Sequence, residues 1–174
     1  NETAQLPLAS ITKLMTALVA VELLPENSKI TIRNDFLKEE GNSGLVVSES
    51  WKLKDLLDFS LVTSSNDGAR SLASVIGAVT SKTSDFNLGR KDFIEKMNER
   101  ANKLGLTQTY FINETGLDVG DNVSGGYGSA VDVNELMKYM IINHPEILEP
   151  TKYSNISVSS DDKKHTGKNT NDFV

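Results

Sequence analysis

Apolar residues recur at helical spacing in five stretches of the chain. In residues 11–24 they are Ile11, Leu14, Met15, Leu18, Val19 and Ala20, the pattern of a buried helix that Pro25 ends. Residues 53–62 carry Leu53, Leu56, Leu57 and Leu61 on one side. Residues 66–79 repeat the pattern through Ala69, Leu72, Ala73, Ile76 and Val79. Residues 90–104 do so through Phe93, Met97, Ala101 and Leu104, and Gly105 stops them. The last helix runs from a Ser129 cap to about Asn143, with Asp132 at the capping-box position and Pro145 closing the region.

Between these helices the polar and apolar positions read differently. Residues 29–33 alternate like a short half-buried strand, 45–47 are strand-like, 106–113 read as extended, and 153–159 alternate weakly like an edge strand. Residues 41–44, the five-glycine stretch 116–128 and the polar stretch 160–172 read as loops. There is no internal repeat. The pattern predicts a helical lobe with short strands.

Composition narrows the classes. At 174 residues the chain has the length of about one domain, and 38% apolar with 24% charged residues is ordinary soluble usage. A net charge of −6 argues against nucleic acid as a partner, because phosphate contacts need clustered positive charge. The longest apolar stretch, residues 14–24, is interrupted by Thr16 and Glu22 and is too short to span a bilayer. With no cysteine, disulfides, thiolate metal sites and a thiol nucleophile are excluded. The first residue is Asn, and apolar residues return at Phe173-Val174, so the chain reads as an internal fragment of a longer protein.

Two short motifs carry chemistry. In Ser10-Ile11-Thr12-Lys13, the hydroxyl and the amine lie one helical turn apart, on one face. Serine is a weak nucleophile that needs a base, and lysine serves only if burial destabilises its ammonium. An apolar helix supplies that burial, and the Ser10 amide at the helix start is free to stabilise an oxyanion. The alternative is an ordinary cap, with Lys13 reaching solvent. Ser160-Asp161-Asp162-Lys163 repeats the spacing in a polar stretch that would leave its lysine solvated. The second motif is Ser64-Ser65-Asn66, between two helices. Its hydroxyl can relay a proton and its carboxamide can orient a lysine or a substrate carbonyl, although Ser-Ser-Asn is also common capping chemistry.

The two motifs occur in order, about 50 residues apart, each at the start of an apolar helix. Together with Asp55-Leu56-Leu57, Met97-Asn98, Leu104-Gly105, Thr109-Tyr110-Phe111, Asn113, Gly116-Leu117 and Ser129-Ala130-Val131-Asp132-Val133, they resemble the serine D-Ala-D-Ala carboxypeptidases, the low-molecular-weight penicillin-binding proteins. The resemblance covers nearly the whole chain. It implies a mixed α and β, β-lactamase/DD-peptidase (transpeptidase-like) fold, with a helical lobe packed on an antiparallel sheet and the active serine between them. Residues 1–174 would be one partial catalytic domain, incomplete at both ends.

The resemblance further implies a reaction. Ser10 would attack the penultimate D-Ala carbonyl of a peptidoglycan stem peptide, Lys13 would be the base, and Ser64 would pass the proton to the leaving amine. Asn66 would hold the substrate amide and Lys13, Ser65 would contact substrate, and water would hydrolyse the acyl-enzyme. β-Lactams would acylate Ser10 as mimics. No cofactor or metal is implied, and the site would be extracytoplasmic, with any membrane association made through segments outside this sequence.

Departures qualify the match. No Lys-Thr-Gly, the family's third motif, occurs in the sequence; Lys164-His165-Thr166-Gly167 is a near miss but precedes Asn169-Thr170-Asn171, which resembles the segment upstream of the true motif, so that motif is expected beyond Val174. That predicts a fragment of impaired activity. Gly68 stands where the family has Ala, a small change. No class A-type Glu-x-x-Leu-Asn segment follows the second motif, which favours a peptidase over a serine β-lactamase. A cell-wall or penicillin binder without turnover is the remaining alternative. His144 and His165 lack ligand spacing, Trp51 reads as packing, and three sequons, Asn113-Glu114-Thr115 among them, are of a kind that chance supplies.

Overall fold

The computed structural model describes residues 1–174. Helix α1 (Thr12–Leu23) runs through the centre, preceded by strand β1 (Leu6–Pro7) and a single 3-10 turn at Ala9–Ile11. Met15, Ala17, Leu18, Val19 and Ala20 are all buried, so α1 is covered around most of its circumference, as its nearly continuous apolar sequence requires. Helices α2 (Leu53–Thr63), α3 (Asn66–Thr80) and α4 (Phe86–Lys103) surround it. The core they share includes Leu53, Leu56, Leu72, Ile76, Phe93 and Met97, each at most 2% exposed. Helix α4 begins earlier than its apolar spacing suggests, because Asp85 caps it by accepting from the Asn87 and Leu88 amides.

All strand pairing is antiparallel, as expected, but it is divided among three small sheets. β2 (Lys29–Thr31) pairs with β3 (Ser50–Lys52). β5 (Gly126–Gly128) lies between β1 and β4 (Tyr110–Phe111). β6 (Asn155–Ser159) and β7 (Lys164–Lys168) form a hairpin on α2. Helix α5 (Ala130–Asn143) starts at Ser129 as predicted, and Pro145 opens a further short helix, α6 (Pro145–Leu148), instead of ending the region. No helix is long and apolar enough to cross a membrane.

Several expectations are corrected. Residues 45–47 form no strand; only Leu45 is buried, and Val46 and Val47 face solvent. The glycine-rich 116–128 stretch ends in strand β5, whose small residues let Leu8 and Phe111 lie against it. The polar 160–172 stretch contains β7, anchored by the buried His165. That ring lies 4.5 Å from the Trp51 ring and its Nε2 is 3.0 Å from Glu49 Oε1. Trp51 is fully buried and donates to Glu49 Oε2, so it is a packing residue. Ser129 forms only half of a capping box, because the Asp132 carboxylate instead accepts from the Gln108 amide and Thr109 Oγ1.

Candidate active site

The 3-10 turn delivers Ser10 to the mouth of a cleft of about 440 Å³, lined also by Lys13, Ser64, Met137, Leu148 and Asn171. Ala9, just before the serine, has φ +45°, a left-handed conformation unfavourable to a residue with a Cβ. Gly116 holds it there. At φ +82°, any Cβ on Gly116 would lie 1.9 Å from the Ala9 carbonyl oxygen, so the close approach requires glycine. The Ile11 and Thr12 amides bond within the turn, whereas the structure records no backbone acceptor for the Ser10 N–H.

Lys13 does not reach solvent. It is 4% exposed, and its Nζ donates to Ser10 Oγ at 3.1 Å and to the Thr115 carbonyl at 2.9 Å. Burial pulls its ammonium down from 10.5 to about 8, and the Glu114 carboxylate draws it partly back. At pH 7 an amine with that value is roughly 10% neutral, against well under 0.1% at 10.5. A neutral Nζ can accept the Ser10 proton while still donating to Thr115, a combination an ammonium cannot make. The decoy at Ser160 behaves as a turn, its hydroxyl bonded to the Lys163 backbone and Lys163 exposed.

Ser64 ends α2 in the left-handed region, φ +55°, and donates to Ser10 Oγ at 2.9 Å. Ser10, Lys13 and Ser64 therefore converge as predicted from the sequence.

Two neighbouring residues of the second motif make bonds within the fold. Ser65 is 4% exposed, and its Oγ accepts from the Gly68 amide at 2.9 Å as the cap of α3. Asn66 makes no hydrogen bond to Lys13, whose second hydrogen bond goes to Thr115. As the first residue of α3, Asn66 turns its amide to the Glu40 carbonyl at 2.7 Å, leaving its buried Oδ1 unpartnered. The next residue, Asp67, accepts from the Glu39 amide and Ser43 Oγ, and Arg70 pairs with Glu39, so the start of α3 moors the 39–43 loop as a polar wall. Gly68 is not interchangeable with Ala: an added Cβ would lie 2.0 Å from Ser60 Oγ.

Sequence reasoning missed the floor of the site. Asn113 is buried, and its Oδ1 accepts from the Thr115 and Gly116 amides, a tight side-chain-to-backbone turn that removes it as a glycosylation site. That turn presents two successive carbonyls to one face of α1. Glu114 accepts from Thr16 Oγ1 at 2.7 Å, and Thr115 accepts from Lys13. The Asn-x-x-Gly spacing was the available signal for such a turn.

Comparison with known proteins agrees with this geometry. The sequence pattern of the D-alanyl-D-alanine carboxypeptidase family (peptidase S11) matches residues 1–174. A D-alanyl-D-alanine carboxypeptidase, DacF, of Bacillus subtilis is 31% identical over 146 residues, covering 80% of this chain and 35% of its own length. A D-alanyl-D-alanine endopeptidase of Haemophilus influenzae is 31% identical over 171 residues, covering 97% and 53%. The crystal structure of a D-alanyl-D-alanine carboxypeptidase from Mycobacterium tuberculosis superposes with a TM-score of 0.82 at 27% identity, over 98% of this chain and 60% of that one. The chain thus spans about a third to a half of the length of these curated relatives. With the fold, the family match and the convergence of Ser10, Lys13 and Ser64 all pointing one way, the chain belongs to the D-alanyl-D-alanine carboxypeptidase family, peptidase S11.

Proposed function

We propose that the protein containing this chain is a serine-type D-alanyl-D-alanine carboxypeptidase acting on peptidoglycan stem peptides outside the cytoplasm, with residues 1–174 part of its transpeptidase-like catalytic domain. The observation that carries the reading is the buried amine hydrogen-bonded to an exposed serine at 3.1 Å. Ser10 Oγ attacks the penultimate D-Ala carbonyl carbon as its proton passes to neutral Lys13. The Ser10 N–H stabilises the oxyanion. Collapse breaks the C–N bond, and the terminal D-Ala leaves after its nitrogen takes a proton through Ser64, which already touches the serine oxygen. Water then hydrolyses the ester by the reverse proton path. Asn66, moored to Glu40, lines the polar pocket that adjoins the cleft at Ser64.

A β-lactam offers the same electrophile with a leaving group that stays tethered, so it would acylate the same oxygen. Incubating the full-length protein with a pentapeptide ending in D-Ala-D-Ala should release D-Ala, and Ser10→Ala should abolish release. Cleavage within a cross-linked dimer, without D-Ala release, would assign it to the endopeptidases instead. Rapid hydrolysis of penicillin would indicate a β-lactamase, and neither cleavage nor labelling would indicate a binding protein.

A further inference from the structure

We propose that the ion pair between Arg90 and Glu114 is a positioning device for the lysine base, fixing the charge beneath Lys13 and thereby the pH range over which Ser10 is acylated. The inference rests on the acyl-transfer reading above.

Its basis is placement. Glu114 is fully buried, and Arg90 at the start of α4 sets its Nε 2.9 Å from each carboxylate oxygen. Glu114 sits in the turn that clamps α1. Its own carbonyl takes Thr16 Oγ1, and the adjacent Thr115 carbonyl takes Lys13 Nζ, so the carboxylate is tied by backbone to the group that holds the base. Packing alone needs no charge at this point, because a buried ion pair seldom outperforms apolar side chains of the same volume.

The other groups around the amine are uncharged. α2 offers Leu61 and Ser64, α3 offers Ala69 and Leu72, α5 offers Met137, and the segment after β7 offers Asn169. Asp67 on α3 spends its carboxylate on the 39–43 loop. Glu114 is the carboxylate that acts on Lys13, and Arg90 is the cation paired with that carboxylate. An uncompensated Glu114 would keep the amine protonated at neutral pH. An uncompensated Arg90 would favour the free base.

The two single variants must therefore move the acid limb of acylation in opposite directions. The test is the second-order rate of labelling by a fluorescent penicillin, measured from pH 5 to 10 on the full-length protein. Glu114→Gln should shift the acid limb down by roughly one pH unit, and Arg90→Gln should shift it up by a comparable amount. Arg90→Lys keeps the charge and should leave the limb within about 0.3 of the wild type. Equal limbs in all four proteins, or shifts of the same sign in both glutamine variants, would overturn the inference. Loss of rate at every pH without a shift would reduce the pair to a packing role and overturn it as well. Should Glu114→Gln fail to fold, the contrast between Arg90→Gln and Arg90→Lys decides alone. A wild type that takes no label overturns the acyl-transfer reading and this inference with it, whereas a labelled wild type with unshifted variants overturns only the inference.

Discussion

Replacing Lys13 by Met should make the protein less active and no less stable. Burial holds the Lys13 amine at about 8 rather than 10.5. The difference, 10.5 − 8 = 2.5, corresponds at about 1.36 kcal/mol per unit to ~3 kcal/mol of destabilisation at neutral pH. Methionine fills similar space without that penalty, but leaves the buried Thr115 carbonyl without its donor, a loss of ~1–3 kcal/mol. The variant should therefore match the wild type at pH 7 or exceed it by up to ~2 kcal/mol, while acylation falls by orders of magnitude. The sharper signature is the dependence on pH. The folded value lies below the unfolded one, so between 8 and 10.5 the unfolded chain binds more protons and stability rises with pH. From pH 7 to pH 9.5 the wild type should gain about 2 kcal/mol from this residue, and Lys13→Met should lack that gain. Urea unfolding of both proteins at the two pH values measures it, since other titrating groups cancel in the difference. An identical gain in both proteins, or a variant clearly less stable at pH 7, would refute the claim that Lys13 is held partly deprotonated by burial.

Three further substitutions test the geometry. Ser64→Ala removes the donor 2.9 Å from Ser10 Oγ and should slow acylation by roughly 10²–10⁴-fold, with stability changed by less than ~1 kcal/mol, read by penicillin labelling and urea unfolding. Gly116→Ala forces a Cβ to within 1.9 Å of the Ala9 oxygen at φ +82°, and should cost ~2 kcal/mol or more in a thermal melt while displacing the neighbouring serine and lowering labelling. Gly68→Ala should destabilise through its 2.0 Å clash with Ser60 Oγ, and Ser60→Ala should relieve part of the loss, since the Ser60 Cβ stays 3.0 Å away; a double-mutant cycle with no coupling energy would contradict that contact.

The helices were legible because each carries its own apolar stripe and stop signal. The stripe of residues 11–24 and Pro25 located α1 to within a residue at its end, and the shared face of Ser10 and Lys13 followed from spacing alone. The strands were less legible, because two or three residues cannot show a period and their pairing is set by partners distant in sequence. Gly126–Gly128 reads as a loop from its composition and becomes a strand only because Leu6 and Phe111 flank it. Lys164–Lys168 reads as polar because its exposed positions outnumber its anchor, His165, whose burial depends on Trp51 and Glu49 more than 100 residues earlier. At the site, Ser10, Lys13 and Ser64 were readable as motifs. The second partner of Lys13 was not, because it is a backbone carbonyl, and backbone groups leave no residue signature. Ser65 and Asn66 were assigned to substrate by the same motif, which gives no sign of the helix cap and the loop bond that their side chains also make.

The central claim is that Ser10 carries the acyl group. Peptide mass spectrometry of the full-length protein after brief exposure to penicillin measures this directly. One intact penicillin is expected, attached at Ser10 and missing in Ser10→Ala. An adduct on Ser64 or any other residue, or one that persists in Ser10→Ala, would contradict it.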